Sequence, residues 1–151
     1  MTSVQLISFT FDKISAEKKK PLKAPLQVKT HIKILNLQKE EIPIHADKKE
    51  KILQFTFEYL VDYQETDGAV ALRGNVLCSG KKDDIENVFA TWQKTKKIEP
   101  EISKLVLNNI LIKCNIKALA IEQDVGLPPH VVLPMLKPVP KKKSKAEEYI
   151  G

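Results

Sequence analysis

Residues 100–134 read PEISKLVLNNILIKCNIKALAIEQDVGLPPHVVLP, and this stretch decides the fold. Pro100 suits the first turn of a helix, and Gly126 stands where a left-handed residue ends one. Between them Leu107, Leu111, Cys114, Ala118, Ile121 and Val125 recur at alternating steps of four and three, which is one apolar helix face. A second series, Leu105, Ile112, Ile116 and Leu119, starts two residues earlier. An offset of two is roughly 160° around a helix, so the two stripes face nearly opposite directions. One face can cover a sheet, and the other needs a second surface. Gly126-Leu127-Pro128-Pro129-His130-Val131-Val132-Leu133-Pro134 then follows, too rich in proline to continue the helix, and its apolar side chains need a third surface. The pattern is that of a protein organised around contacts with other polypeptides.

Upstream, the periodicity changes to that of strands. Residues 4–14 read as the first, with Gln5, Ile7, Phe9 and Phe11 on one side and Leu6, Ser8, Thr10 and Asp12 on the other. Lys18-Lys19-Lys20-Pro21-Leu22-Lys23-Ala24-Pro25 breaks it. Val28, Thr30, Ile32 and Ile34 mark the second strand, whose phase slips at Leu35-Asn36-Leu37, as a bulge or an edge produces. The hydrophilic residues 38–51 read as a loop. Phe55, Phe57, Tyr59, Val61 and Tyr63 alternate with Thr56, Glu58, Leu60 and Asp62 in the third strand, giving one aromatic, apolar face. Thr66-Asp67-Gly68 reads as a reverse turn with Gly68 available for positive φ. Val70, Leu72, Gly74, Val76 and Cys78 form the fourth strand. Loops this short imply an antiparallel sheet with meander-like pairing. Asp83 or Asp84 can cap a short helix whose Ile85, Val88, Phe89 and Trp92 share a narrow face. The fold class is therefore α+β: four antiparallel strands, then a short helix and a long helix on one sheet face, then an extended segment. The expected division is one domain over residues 1–138 and a basic tail over 139–151.

A chain of 151 residues with 42% hydrophobic and 29% charged residues can bury a real core. No apolar run approaches the ~20 residues that cross a bilayer, and the first residues lack a signal-peptide pattern, so the expected compartment is the cytoplasm. The net charge of +6, from 25 basic and 19 acidic residues, gathers in lysine runs at 18–20, 48–51, 94–97 and 141–145. Such runs read first as solvated surface. Cys78 and Cys114 lack ligand spacing and read as buried free thiols.

Catalytic chemistry is not visible. His31, His45 and His130 have no metal-binding companions, and the chain carries no phosphate loop, nucleophile elbow or carboxylate pair in an apolar setting. The expectation is no enzyme, no metal, no cofactor and no small-molecule substrate. RNA binding is an alternative, since Phe55, Phe57 and Tyr59 could form a stacking platform on a basic domain. Against it, that face is the natural one for the helices to cover, and the element order differs from that of RNA-recognition domains.

The order of four strands, crossover helix, long helix and extended segment resembles the SecB-type export chaperones over residues 4–138. The sharpest piece is residues 126–134, similar to the family's glycine, apolar residue, proline, alternating apolar residues and proline after the first long helix. Residues 84–92 occupy the place of the family's crossover. The resemblance implies a homotetramer, a dimer of dimers, with the long helices packed between sheets and Leu105, Ile112, Ile116 and Leu119 at the interface. It implies an ATP-independent holdase for unfolded polypeptides or preproteins. By position its client groove takes Ile85, Phe89, Trp92, Leu127, Val131, Leu133, Met135 and Leu136, with Leu35 and Leu37 at the edge. The basic surface departs from the acidic bacterial members, which dock a motor ATPase through sheet carboxylates; here Glu58 and Asp62 alone stand on an outer sheet face. A chaperone dedicated to one toxin–antitoxin client is the further alternative.

Overall fold

A computed structural model describes residues 3–21, 27–45, 48–63, 68–134 and 136, with the backbone alone at 44, 45, 48 and 49. Four strands, β1 (Gln5–Lys18), β2 (Val28–His45), β3 (Lys48–Tyr63) and β4 (Gly68–Ser79), precede helices α1 (Lys82–Thr95) and α2 (Pro100–Val125). The fold is α+β with a wholly antiparallel sheet, as the periodicity implied.

The sheet order is β1-β4-β3-β2, which corrects the meander expectation for the first strand. β2, β3 and β4 do form a meander, but β1 pairs with β4, giving the strand order of a Greek key. Lys18, Gly68, Tyr63 and Val28 lie side by side at one end of the sheet. The connection from β1 to β2 therefore crosses about 14 Å, three strand spacings, within reach of the intervening residues.

Phe55, Phe57, Tyr59, Val61 and Tyr63 are all fully buried and form the floor of the core. α2 lies over β4, β1 and β3, and α1 over β2 and β3, on this same face. Phe9 stacks on Phe57 at 5.1 Å between ring centroids. Leu6, Phe9 and Phe11 pack against the core, whereas Ile7 is exposed. The expected single alternation in β1 fails because its register shifts between Leu6 and Ser8 and again between Phe11 and Lys13. A bulge changes which parity faces inward. The phase slip in β2 is a bulge too, between Ile34 and Asn36.

Residues 38–45 and 48–51 belong to strands, not to the expected loop. β2 runs on to His45 and β3 begins at Lys48, so the hairpin extends beyond the end of β4. Its ladder rests on backbone hydrogen bonds, which need no apolar alternation. Lys39 and Lys51 both reach Glu86 of α1, at 2.8 and 2.6 Å, and fasten the extension to the helix. These ammonium groups, through the hydrogen bond from Lys39 first, hold the Glu86 carboxyl down to about 2.

Lys81, not Asp83 or Asp84, is the N-cap of α1, and the aspartates lie within its first turn. Asp84 is engaged elsewhere: its Oδ2 accepts from the Ser3 N–H at 3.0 Å and the Ser3 hydroxyl at 2.6 Å, which lowers its pKa and ties the chain start to α1. Pro100 opens α2 as expected. The buried line of α2 is Ile102, Val106, Ile110, Cys114, Ala118 and Glu122, spaced at steps of four. An i, i+4 row is inclined to the helix axis, so α2 crosses the sheet obliquely. Cys114 and Ala118 of the expected stripe are on this line; Leu107, Ile121 and Val125 flank it, and Leu111 is exposed. Cys78 and Cys114 are free and buried, and burial pushes both thiols up to about 12.

Candidate binding groove

Gly126 ends α2 at φ 79°, a left-handed conformation that favours glycine, and the Leu127 N–H reaches back to the Glu122 carbonyl at 2.8 Å. This turn reverses the chain and drives Leu127 into the core. Gly68 receives it: a Cβ there would stand 2.9 Å from Leu127 Cδ2. The role of Gly68 is thus close approach, not the positive φ of a turn; Thr66 and Asp67 lie outside the described residues.

The proline-broken segment after Gly126 has no ladder to hold it, and side chains supply the hydrogen bonds. The Tyr63 hydroxyl donates to the Pro128 carbonyl at 2.5 Å. The His130 backbone N–H donates to Glu122 Oε1 at 3.1 Å, and His130 Nδ1 stands 2.9 Å from Oε1 and 2.7 Å from Oε2. On the other side of the ring, Nε2 faces the Tyr59 oxygen at 2.7 Å and Asn115 Oδ1 at 2.9 Å, while the Tyr59 hydroxyl donates to that same Oδ1 at 2.6 Å. Glu122 Oε2 is buried and makes no hydrogen bond of its own. Glu122 is only 1% exposed and the His130 side chain not at all. Buried polar groups persist when they are mutually bonded, and this network joins β3, α2 and the segment. Burial, with the nearby Glu122 charge assisting, raises the pKa of Tyr59 and Tyr63, keeping both hydroxyls as donors.

With the segment pinned, a groove of about 460 Å³ opens beside it. Leu119, Ala120, Glu122 and Gln123 of α2 form one wall, and Leu127, Pro129 and Leu133 the other. Outside the groove, Val132 and Leu136 remain exposed, as do Leu105, Leu111, Ile112 and Ile116 along α2. Ile112 is 59% and Ile116 66% exposed, which is high for isoleucine in mid-helix.

The structure brings some of the sequence-derived residues together and separates others. Leu127 and Leu133 line the groove, Val131 is half-buried nearby in the chain, and Met135 lies outside the described residues. Ile85 and Trp92 are buried beneath α1, with the Lys96 ammonium 5.4 Å from the Trp92 ring. Phe89 is partly buried, with Lys39 5.1 Å from its ring. None of these α1 residues lines the groove among the described residues. Leu37 is in the core, and Leu35 is exposed at the bulge. Of the stripe assigned to assembly, Leu105, Ile112 and Ile116 face solvent and Leu119 faces the groove. The polar network was not anticipated. Glu122 continues the i, i+4 line of Ile102 through Ala118, and a carboxylate in that line is the signal that could have found it.

On the outer sheet face Glu58 pairs with Arg73 at 2.6 Å. No cluster of three or more metal-ligating side chains occurs among the described residues, and no helix there is long and apolar enough to cross a membrane. No family model and no curated protein matches the chain. Among solved structures, the chain is similar to a SecB-like chaperone of Mycobacterium tuberculosis, solved in complex with a ChAD peptide from the HigA1 antitoxin. The two share 11% identity at a TM-score of 0.49, over 91% of this chain and 94% of that one.

Proposed function

We propose that the chain is an ATP-independent chaperone of the cytoplasm that holds non-native polypeptides on an apolar surface. The observation that carries this reading is the surface itself: apolar side chains of α2 left uncovered, running into a preformed groove whose far wall is fixed by buried hydrogen bonds. Contiguous apolar surface on a folded domain marks an interaction site, and a surface of aliphatic side chains accepts many sequences. The motif at residues 126–134, which resembles the SecB-type chaperones, supports the same reading by building that far wall. The RNA-binding alternative loses its platform, because Phe55, Phe57 and Tyr59 are fully buried under the helices.

The test is suppression of aggregation. The purified protein, sized by light scattering, is added without ATP to a chemically unfolded model protein diluted into buffer. Suppression at near-stoichiometric amounts is expected, together with its loss in the Ile112→Ser/Ile116→Ser double variant. A parent that leaves aggregation unchanged overturns the reading.

A further inference from the structure

We propose that in the resting protein the groove is filled by an arm from a second copy of the chain, residues 131–134 and Leu136, and that a client binds by displacing it. This rests on the chaperone reading and deepens it by giving the same site a resident occupant. The segment after Gly126 has two parts. Its root is fixed, with Leu127 in the core and His130 in the buried polar network. Beyond the root the side chains turn outward, and Val132 is 99% and Leu136 101% exposed. Aliphatic side chains left wholly in water beside an apolar groove mark a surface built for contact. The arm cannot fill the groove of its own copy, because Pro129 and Leu133 are the wall of that groove. The arm of a second copy is under no such restriction. Each copy carries one arm and one groove, so a two-fold axis satisfies both contacts at once.

Charge agrees with this occupant. Residues 131–134 and Leu136 carry none, and the one ionisable residue lining the groove, Glu122, is turned to His130. An uncharged arm therefore complements the walls and buries no unpaired charge. Pro128, Pro129 and Pro134 restrict the backbone, so little freedom is lost when the arm is seated. Arm and groove together are roughly a dozen positions per copy, against about 20–30 a side in a standard interface, so the exchange alone is weak. That weakness lets a client take the arm's place. The exchange does not involve Ile112 or Ile116, so copies that also meet along α2 keep their arms exchanged.

Two full-length variants, Ala120→Cys in the groove and Val132→Cys on the arm, are mixed and treated with a short bismaleimide; Cys78 and Cys114 are buried and stay out of the reaction. Cross-linked pairs holding one chain of each kind are expected to form about ten-fold faster than pairs of like chains. Saturating reduced, carboxymethylated lactalbumin, a permanently unfolded protein, is expected to suppress them. The Val132→Ser/Leu136→Ser variant, altered only at exposed positions, lacks the competitor. It is expected to bind labelled carboxymethylated lactalbumin about three- to ten-fold tighter than the parent, because apparent affinity falls with the fraction of sites left free. Unlike pairs that form no faster than like pairs, or weaker binding by the arm variant, overturn the inference, while suppression of aggregation by the parent leaves the chaperone reading standing. Unlike pairs that saturating lactalbumin leaves unchanged overturn it as well, since arm and client then do not share a site. Faster unlike pairing in a protein that neither binds lactalbumin nor suppresses aggregation supports the exchanged arm and removes the chaperone reading.

Discussion

Glu122 shows what one residue can be asked to do. It sits where the apolar row of α2 calls for an aliphatic side chain, yet its carboxylate receives both the ring and the backbone N–H of His130. Removing one member of a buried, mutually hydrogen-bonded pair leaves the polar atoms of the other unsatisfied, which typically costs about 1–3 kcal/mol. Glu122→Ala is therefore expected to lower stability by about 2 kcal/mol in urea titration. A Glu122→Leu/His130→Leu double variant should lose less than the sum of its single changes, because no orphaned polar partner remains. Additive losses in that cycle would show that the two side chains act independently. The buried thiols give a second expectation at this scale. With pKa pushed up to about 12, Cys78 and Cys114 carry little thiolate at neutral pH, so a thiol reagent should label them only as the fold opens. Rapid labelling of the native protein would contradict their burial.

Among the elements, the long β2–β3 hairpin is the one most dependent on charge. The pairing of residues 41–45 with 48–51 lies beyond β4, and the contact that fastens the hairpin to α1 runs through Glu86. The carboxyl has an ordinary value of 4.5 and is held at about 2 in the folded chain. A depressed carboxylate contributes stability that is fully present above its unfolded value and is lost as pH falls toward the folded one. Thermal midpoints should thus fall between pH 4.5 and about 2, and Glu86→Gln should flatten that slope while lowering the midpoint at pH 6. An unchanged acid slope in the variant would assign the loss to other carboxylates. The same hairpin marks the limit of what periodicity reveals. Phe55 through Tyr63 announced a strand because alternate side chains enter a core, whereas residues 38–45 and 48–51 carry no such alternation and are paired by backbone and by Lys39–Glu86–Lys51. Ion pairs between remote elements leave no local period in a sequence. α2 was legible at both ends, through Pro100 and Gly126, but its inward row was not, since several apolar rows compete on one helix and the sheet selects among them.

For the whole molecule, core and outer surface should respond differently to loss of apolar side chains. Phe57 stacks on Phe9 and is fully buried, so Phe57→Ala is expected to cost about 3–5 kcal/mol. Ile116→Ser, at an exposed position, should change stability by about 0.5 kcal/mol or less while weakening polypeptide binding. Equal destabilisation by the two changes, measured in urea, would mean that the outer row of α2 is already covered in solution. The groove was half visible beforehand for a related reason: Leu127 and Leu133 belong to the motif after Gly126, but the α2 wall depends on the oblique crossing of the helix, a property of the assembled sheet. Strand order has a consequence for how the chain is made. β1 is synthesised before its partner and, among the described residues, pairs with β4 alone, whose last partner residue is Ser79. At about 5–20 residues/s a ribosome needs several seconds to pass from Lys18 to Ser79, and throughout that interval the first strand has no neighbour to join. β1 of every new copy is thus, briefly, an unpaired strand carrying Phe9 and Phe11, in need of the kind of shelter that the finished protein is proposed to give to others.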